Sequence, residues 1–367
     1  MFNQETLDKY PAWENKQYQL IDNDGKALDK KWKPILSDAE IKQAYQDLLF
    51  ERTADMMAVS YQRQGRMFTY PPNLGQEAIH IAAGMVMKEE DWLVPAFREL
   101  GAWLAKGVSM SEIFLYFKGN EDGSRFANAR RMLPVSVPIA SQLLHAVGIG
   151  YAMNYNKEKA VVFAFVGDGG TSEGDFHEAL NFAAVWNVPV VFIVQNNQFA
   201  ISVPLKMQTK SVNLAVKGYA YAVPSVLVDG NDLFAMHEVL SFAREQAING
   251  KGPMLVEART FRMGAHTTSD DPTRYRTKEE EEDWALKDPM KRLKGYITDR
   301  KLFDLSQEDA LIKDYKKKID AEFEAAEKHP DYPLEDVFGY MYQEMPQELK
   351  RQKNNYENYL QNMEGDK

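Results

Sequence analysis

The 367-residue chain has no cysteine. That excludes disulfides, zinc–thiolate sites, iron–sulfur clusters and a cysteine nucleophile. Long apolar runs are missing too. The longest, Ala160–Val166 and Val188–Val194, are seven residues each, against the roughly 18 needed to span a bilayer. Basic charge is in deficit, with 44 Lys and Arg against 54 Asp and Glu, and no long basic stretch interrupts the acidity. This argues against a duplex nucleic-acid binder. The opening "MFNQETLDKY" lacks the charged-then-apolar pattern of a secretion signal. No internal repeat or low-complexity segment is found. A soluble cytoplasmic protein is the simplest expectation, with no membrane or nucleic-acid partner. What is present is a hydrophobic share of 44%. It suffices for a sizeable core, and the length of 367 residues suggests one large or two medium domains.

Residues 1–36 are polar, broken by Pro11, Gly25 and Pro34, and predict an arm on the surface or on a partner. Ser37 with Glu40 has the spacing of a helix capping box. The helix it opens keeps Ile41, Tyr45, Leu48, Leu49 and Met56 at helical spacing. Further helices are expected from Gly75 in "GQEAIHIAAGMVMK", over Ser109–Lys118, and in "IASQLLHAVGIGYAMNYN". Gly119–Pro138 predicts a long ordered loop, of a kind usually functional or disordered in compact domains. Then strands and helices alternate. Val161–Val166, Pro189–Gln195, "VPSVLVDG" and "PMLVEARTFR" read as strands, and Asp175–Trp186 and Asp232–Asn249 as helices. Near-continuous apolar strands separated by helices predict an α/β fold with a parallel sheet covered on both faces. That domain is expected over residues 37–276. A charged helical extension follows over 277–367, where "KEEEED" reads as a solvated helix start.

The glycine cluster "GDGGTSEGD" fails two familiar patterns. The dinucleotide motif G-x-G-x-x-G has Ser172 in its third glycine place, and the phosphate loop has Asp175 where its lysine belongs. The nucleophile elbow G-x-S-x-G does fit, as Gly170 to Gly174 around Ser172, with Asp229 and His266 downstream in the right order. A serine hydrolase is therefore a competing expectation. Against it, Gly167 to Gly169 separate the strand end from the elbow, and no "HGGG"-type loop is present.

The longer stretch, Phe163 to Ser202, reads as one unit. One strand ends in Gly-Asp-Gly, a helix crosses over, and the next strand ends in Asn-Asn, with residues 170 to 195 between Gly169 and Asn196. In a parallel sheet both ends fall on the carboxyl edge, where ligands bind. Asp168 and Asn197 can converge there as hard oxygen donors suited to Mg²⁺. Gly167, Gly169 and Gly170 allow close approach of phosphates to backbone amides.

This pairing of GDG with NN resembles the thiamine-diphosphate signature. With "GQEA", "QNNQFAIS", "INGKGP", "HTTSDDPTRYRTKEEEE" and "MYQEMP", nearly the whole chain resembles the alpha subunits of 2-oxoacid dehydrogenases, most closely the pyruvate dehydrogenase type of Gram-positive bacteria. The resemblance implies a thiamine-diphosphate-binding α/β fold with helical N- and C-terminal extensions. It implies Mg²⁺ held by the side chains of Asp168 and Asn197 and the backbone oxygen of Phe199, with Gly169 and Gly170 lining the diphosphate. Arg98 matches a diphosphate-binding arginine. Phe97 stands where the family has Tyr, so a phosphate hydrogen bond is missing, and plain core packing fits Phe97 as well. Ile139, with Val137, matches the stretch whose backbone meets the aminopyrimidine ring, and helix-start burial fits Ile139 nearly as well. His266 is the expected catalytic and cofactor-contacting histidine, and Arg262 an anchor for its loop. Structural roles are expected for histidines 80, 145, 177, 237 and 329. Thr267 matches a regulatory phosphorylation site of animal relatives, a regulation not carried to this chain.

The family's aminopyrimidine-binding Glu comes from a beta subunit, and only one α/β unit is visible here. The resemblance thus implies half an active site and an assembly of two alpha with two beta chains. The implied reaction is oxidative decarboxylation of pyruvate, with the acetyl unit passed to a lipoyl group of an acyltransferase component. A branched-chain 2-oxoacid or acetoin dehydrogenase alpha chain is the alternative within the class.

Overall fold

The computed structural model describes residues 1–365. Helices α1 (Gln4–Lys9), α2 (Asp38–Arg63) and α3 (Glu77–Val86) precede strand β1 (Trp92–Val94). Helices α4 (Leu100–Ala105), α5 (Met110–Phe117) and α6 (Ser141–Asn156) lead to β2 (Val162–Gly167), α7 (Gly174–Val185) and β3 (Val190–Asn196). A two-stranded ribbon, β4 (Phe199–Ala200) and β5 (Val203–Pro204), and the short α8 (Leu205–Gln208) follow. Then come β6 (Ser225–Asp229), α9 (Leu233–Ile248) and β7 (Met254–Arg259). The chain ends in α10 (Lys278–Ala285), α11 (Pro289–Asp299), α12 (Glu308–Glu327), α13 (Leu334–Gly339) and α14 (Gln347–Gly365).

The main sheet is wholly parallel, in the order β1-β2-β3-β7-β6. Its central strands are apolar on both faces, and the faces alternate with the two-residue period of a strand. Val162, Ala164, Val166, Phe192 and Val194 pack with residues of α6 and α7. Phe163, Phe165, Val191 and Ile193 pack with α2, α3 and α9. Each such side chain contributes roughly 1.5–3 kcal/mol by leaving water. Gly167 pairs with Gln195 in the β2–β3 register, so the Asp168 and Asn196 ends leave the sheet side by side.

Three details differ from the sequence reading. Strand β1 was not expected, because three residues between "KEED" and "PAF" are too few to show a period. Met56 is 63% exposed and does not join the buried stripe of α2; its neighbour Asp55 turns inward instead, accepting from Tyr70 Oη at 2.8 Å and Asn73 N at 2.7 Å. The N-terminal arm lies on its own chain. Tyr18 N donates to Leu227 O and Asp229 N to Tyr18 O, both at 2.9 Å, so the arm covers the free edge of β6. Phe2, Leu7 and Ile21 bury beside it in the core.

The Ser37–Glu40 capping box is formed at the start of α2. At the other end of the chain, α12 packs Phe323 against Tyr61 with ring centroids 3.8 Å apart. Among the described residues no helix is long and apolar enough to cross a membrane.

Candidate active site

A cavity of about 560 Å³ opens at the carboxyl ends of β2 and β3. Five separate stretches of sequence meet in its wall: Phe97–Arg98, Val137 with Ile139, Asp168–Gly170, Asn197 with Phe199, and His266. Every cofactor-binding residue expected from sequence thus lies in this one cavity. Val137 and Ile139 stand at its mouth, 64% and 47% exposed.

After β2 the chain makes a 3₁₀ turn, Asp168–Ser172, before α7 begins. Thr171 Oγ1 donates to Asp168 O at 2.8 Å, and Lys217 Nζ donates to Thr171 O at 2.6 Å and to Oγ1 at 2.9 Å. Gly170 is required here, because a side chain would collide with Val166 and press on Ile139. The Asp168 carboxyl is buried and accepts one hydrogen bond, from Gln208 Nε2 at 2.8 Å. Burial pushes it up to about 6, because the charged form has lost its water; the Gln208 amide and the nearby Arg262 charge pull the other way and offset only part of this.

The two asparagines have different tasks. Asn196 is a brace: its Nδ2 donates to Glu257 Oε1 at 2.6 Å, and its Oδ1 accepts from Gln198 N at 3.2 Å. This holds Gln198 in a left-handed conformation, φ 76°, which non-glycine residues seldom adopt. The strained turn aims the following side chains at the cavity. Asn197 lines the wall, with Nδ2 on Gln76 Oε1 at 3.3 Å and Oδ1 only loosely held by Phe199 N at 3.4 Å. The Phe199 carbonyl accepts from Arg262 Nη1 at 3.2 Å.

Two buried arginines share the wall with these oxygens. Arg98 donates to Pro72 O and, at 2.9 Å, to His266 O. Arg262 also donates to Ile201 O at 2.6 Å and Tyr275 Oη at 3.0 Å, which fixes the loop carrying His266 as expected. Burial, and then the neighbouring Arg262, push Arg98 down to about 9. His266 Nδ1 faces Arg262 at 3.3 Å and Arg98 at 3.5 Å. Both are donors, so Nδ1 accepts and the ring proton sits on Nε2. Burial and the two guanidiniums hold His266 down at about 4, so the ring is neutral at pH 7. Two like charges buried together call for an anion, and planar guanidiniums suit phosphate oxygens.

The donor set also fits a hard cation. A carboxylate, an amide oxygen and a main-chain oxygen come from adjacent strand ends, the kind of partial shell that Mg²⁺ completes with phosphate and water. Among the described residues no group of three or more His, Cys, Asp or Glu could hold a metal.

Phe97 packs its ring edge-on to His266, 6.4 Å between centroids, with the Arg98 guanidinium 5.5 Å from its own. It supplies an apolar, cation-facing wall. The hydrolase constellation is not assembled. Asp229 is taken by Arg292 at 2.8 Å, and His266 Nδ1 faces arginines. Gln76, Glu99 and Gln195 are among the wall residues not singled out from sequence. Gln76 lies within "GQEA", Gln195 opens "QNNQFAIS" and Glu99 directly follows Arg98, and that adjacency was the available signal.

The dehydrogenase E1 component family matches residues 45–335. The chain is 40% identical to the pyruvate dehydrogenase E1 component subunit alpha of Mycoplasma genitalium, over 92% of this chain and 94% of that protein. It is 41% identical to the same-named subunit of Acholeplasma laidlawii, over 93% and 99%. It is also 40% identical to the 3-methyl-2-oxobutanoate dehydrogenase subunit alpha of Mycobacterium tuberculosis, over 91% and 92%.

Proposed function

The chain belongs to the dehydrogenase E1 component family, and from that premise we propose that it acts in the cytoplasm as the thiamine-diphosphate- and Mg²⁺-binding alpha chain of a pyruvate dehydrogenase. The reaction is oxidative decarboxylation of pyruvate, with transfer of the acetyl unit to a lipoyl group of an acyltransferase component. One observation carries the reading. Two neighbouring strand ends bring Asp168, Asn197 and the Phe199 carbonyl to one cavity, and the same wall holds two buried arginines, Arg98 and Arg262, with no salt bridge to a carboxylate among the described residues.

Asp168, Asn197 and the Phe199 carbonyl would hold Mg²⁺. Arg98, with Arg262 behind it, would meet the diphosphate charge. When bound, thiamine diphosphate supplies the nucleophilic carbon and electron sink that decarboxylation of a 2-oxoacid needs. His266, neutral with its proton on Nε2, can hold or donate a proton at that atom. Phe97, Val137 and Ile139 would present apolar surface to the cofactor. Because Val137 and Ile139 are exposed at the mouth, a beta chain is expected to close the cavity and supply the missing Glu, in an assembly of two alpha and two beta chains.

The test is calorimetric titration of thiamine diphosphate with Mg²⁺ into the chain with its beta partner. Binding is expected, and Asp168→Ala is expected to abolish its metal dependence. Unchanged metal-dependent affinity in that variant would sink the assignment. A second reading, a branched-chain 2-oxoacid dehydrogenase alpha chain, is favoured by the equal identity to the Mycobacterium tuberculosis relative. Turnover of pyruvate against 3-methyl-2-oxobutanoate by the assembled enzyme decides between them.

A further inference from the structure

Arg98 reaches the cavity with its side chain, yet its main chain is gripped from behind. Glu99 Oε2 accepts from Arg98 N at 3.0 Å, and Gln195 Nε2 donates to Arg98 O at 3.4 Å and to Glu99 Oε1 at 2.5 Å. Gln195 is pinned in turn. Its Oε1 lies 2.7 Å from His80 Nε2, and His80 Nδ1 lies 2.6 Å from Glu51 Oε1. The chain of contacts runs from α2 through α3 and β3 to the start of α4, and every member is buried.

Its direction is fixed by donor count. The Gln195 amide group spends its N–H bonds on Glu99 and Arg98 O, so Gln195 Oε1 must accept. His80 Nε2 must therefore carry a proton and donate. His80 Nδ1 and Glu51 share another proton between them, and the buried carboxylate keeps the ring oriented. Position 101 supports this arrangement, since any side chain there would collide with Glu51 Oε2. Each side chain of the network makes at least one buried hydrogen bond, although Glu51 Oε2 has no partner.

We propose that His80 is a positioning residue for cofactor binding: backed by Glu51, it orients Gln195, which with Glu99 fixes the main chain of Arg98 and so the guanidinium that meets the diphosphate. The inference rests on the thiamine-diphosphate reading of the cavity. It assigns to His80 more than the structural role its sequence position suggests. Without His80 the Gln195 amide is free to turn, and Arg98 loses the grip on its N–H and its carbonyl.

The test is the thiamine diphosphate affinity, by calorimetry with Mg²⁺, of the alpha–beta complex carrying His80→Leu or His80→Gln. Removing an outer partner of a binding group commonly weakens affinity on the order of tenfold to a hundredfold. His80→Leu should show at least the lower figure while its thermal unfolding remains cooperative. His80→Gln, which keeps an N–H for Gln195 Oε1, should recover most of the affinity, a rescue that lost packing would not show. If His80→Leu does not fold, Gln195→Met is read in its place, with the same loss expected. Wild-type affinity in the leucine or methionine variant overturns the inference alone, and so does equal loss in His80→Leu and His80→Gln. Failure of the unsubstituted complex to bind removes the cavity reading and this inference with it.

Discussion

The two ends of the sheet treat buried charge in opposite ways. Beside β6, Glu238 of α9 is 3% exposed and fully engaged by the arm. Phe2 N and Tyr18 Oη donate to its Oε2 at 2.7 and 2.9 Å, and Trp32 Nε1 donates to its Oε1 at 3.1 Å. At the carboxyl edge of β2, Asp168 is 1% exposed and has one amide for a partner. The burial is the same and the number of donors is not. A buried carboxylate with several donors holds elements together, whereas one left short costs stability until something else arrives. The difference separates a region built for the fold from a region built for a ligand, and it needs no catalytic hypothesis to be seen.

The largest expected effect tests that contrast directly. Glu238→Ala would leave three arm donors without their acceptor, and since each buried donor left unsatisfied costs about 1–3 kcal/mol, a loss of several kcal/mol is expected. Asp168→Asn keeps an acceptor for Gln208 and removes a charge that burial disfavours. It should therefore unfold at an equal or higher urea concentration than the parent chain at pH 8, without ligand. If both substitutions lower the midpoint alike, Asp168 is a structural acid and the contrast fails.

A somewhat smaller effect appears in pH. The Asp168 carboxyl titrates at about 6 in the folded chain, against an ordinary value of 3.8. The folded state then binds the proton more tightly than the unfolded state between those values. Stability must fall as pH rises through that window, by roughly 3 kcal/mol once pH exceeds 6. Below about 3.8 the penalty is absent. The difference in unfolding free energy between Asp168→Asn and the parent isolates this contribution, because the other carboxylates cancel. It should grow from pH 4 to pH 7 and then level off. Thiamine diphosphate with Mg²⁺ should abolish the trend by supplying the cation. A flat difference would mean that Asp168 is already charged and paired in the ligand-free chain.

The same contrast explains what sequence could and could not disclose. Strands β2 and β3 were legible because burial on both faces leaves runs such as "VVFAFV" and "VVFIV". Asp168 and Asn197 were legible because a parallel sheet places successive strand tips on one edge. The capping box was legible because its partners are three residues apart. Contacts between distant segments were not. The pairing of Arg98 with Arg262 and His266, and that of His80 with Gln195, join residues roughly a hundred positions or more apart, and no local period records them. The arm's attachment to β6 was hidden for the same reason. Its polar composition reports the solvent side and is silent about Phe2, Tyr18 and Ile21, which face inward. Met56 shows the converse, since an apolar residue at helical spacing can still stand on the outer face of a long helix.

The smallest effect asks whether the two regions are independent. Ser37 and Glu40 form their box at the solvent-facing start of α2, with Ser37 N on Glu40 Oε2 at 2.8 Å and Glu40 N on Ser37 Oγ at 3.3 Å. Ser37→Ala removes one side of it and should lower stability by about 1 kcal/mol. The same helix carries Glu51 and Asp55 about four and five turns further on, close behind the cavity wall. Fraying of the first turn stays local, because the following turns of α2 are buried through Ile41, Tyr45 and Leu48. The urea midpoint should therefore drop slightly while thiamine diphosphate affinity in the alpha–beta complex stays put. An affinity that falls with the cap would show that α2 transmits strain along its length. The fold-bearing and ligand-bearing regions would then be one mechanical unit.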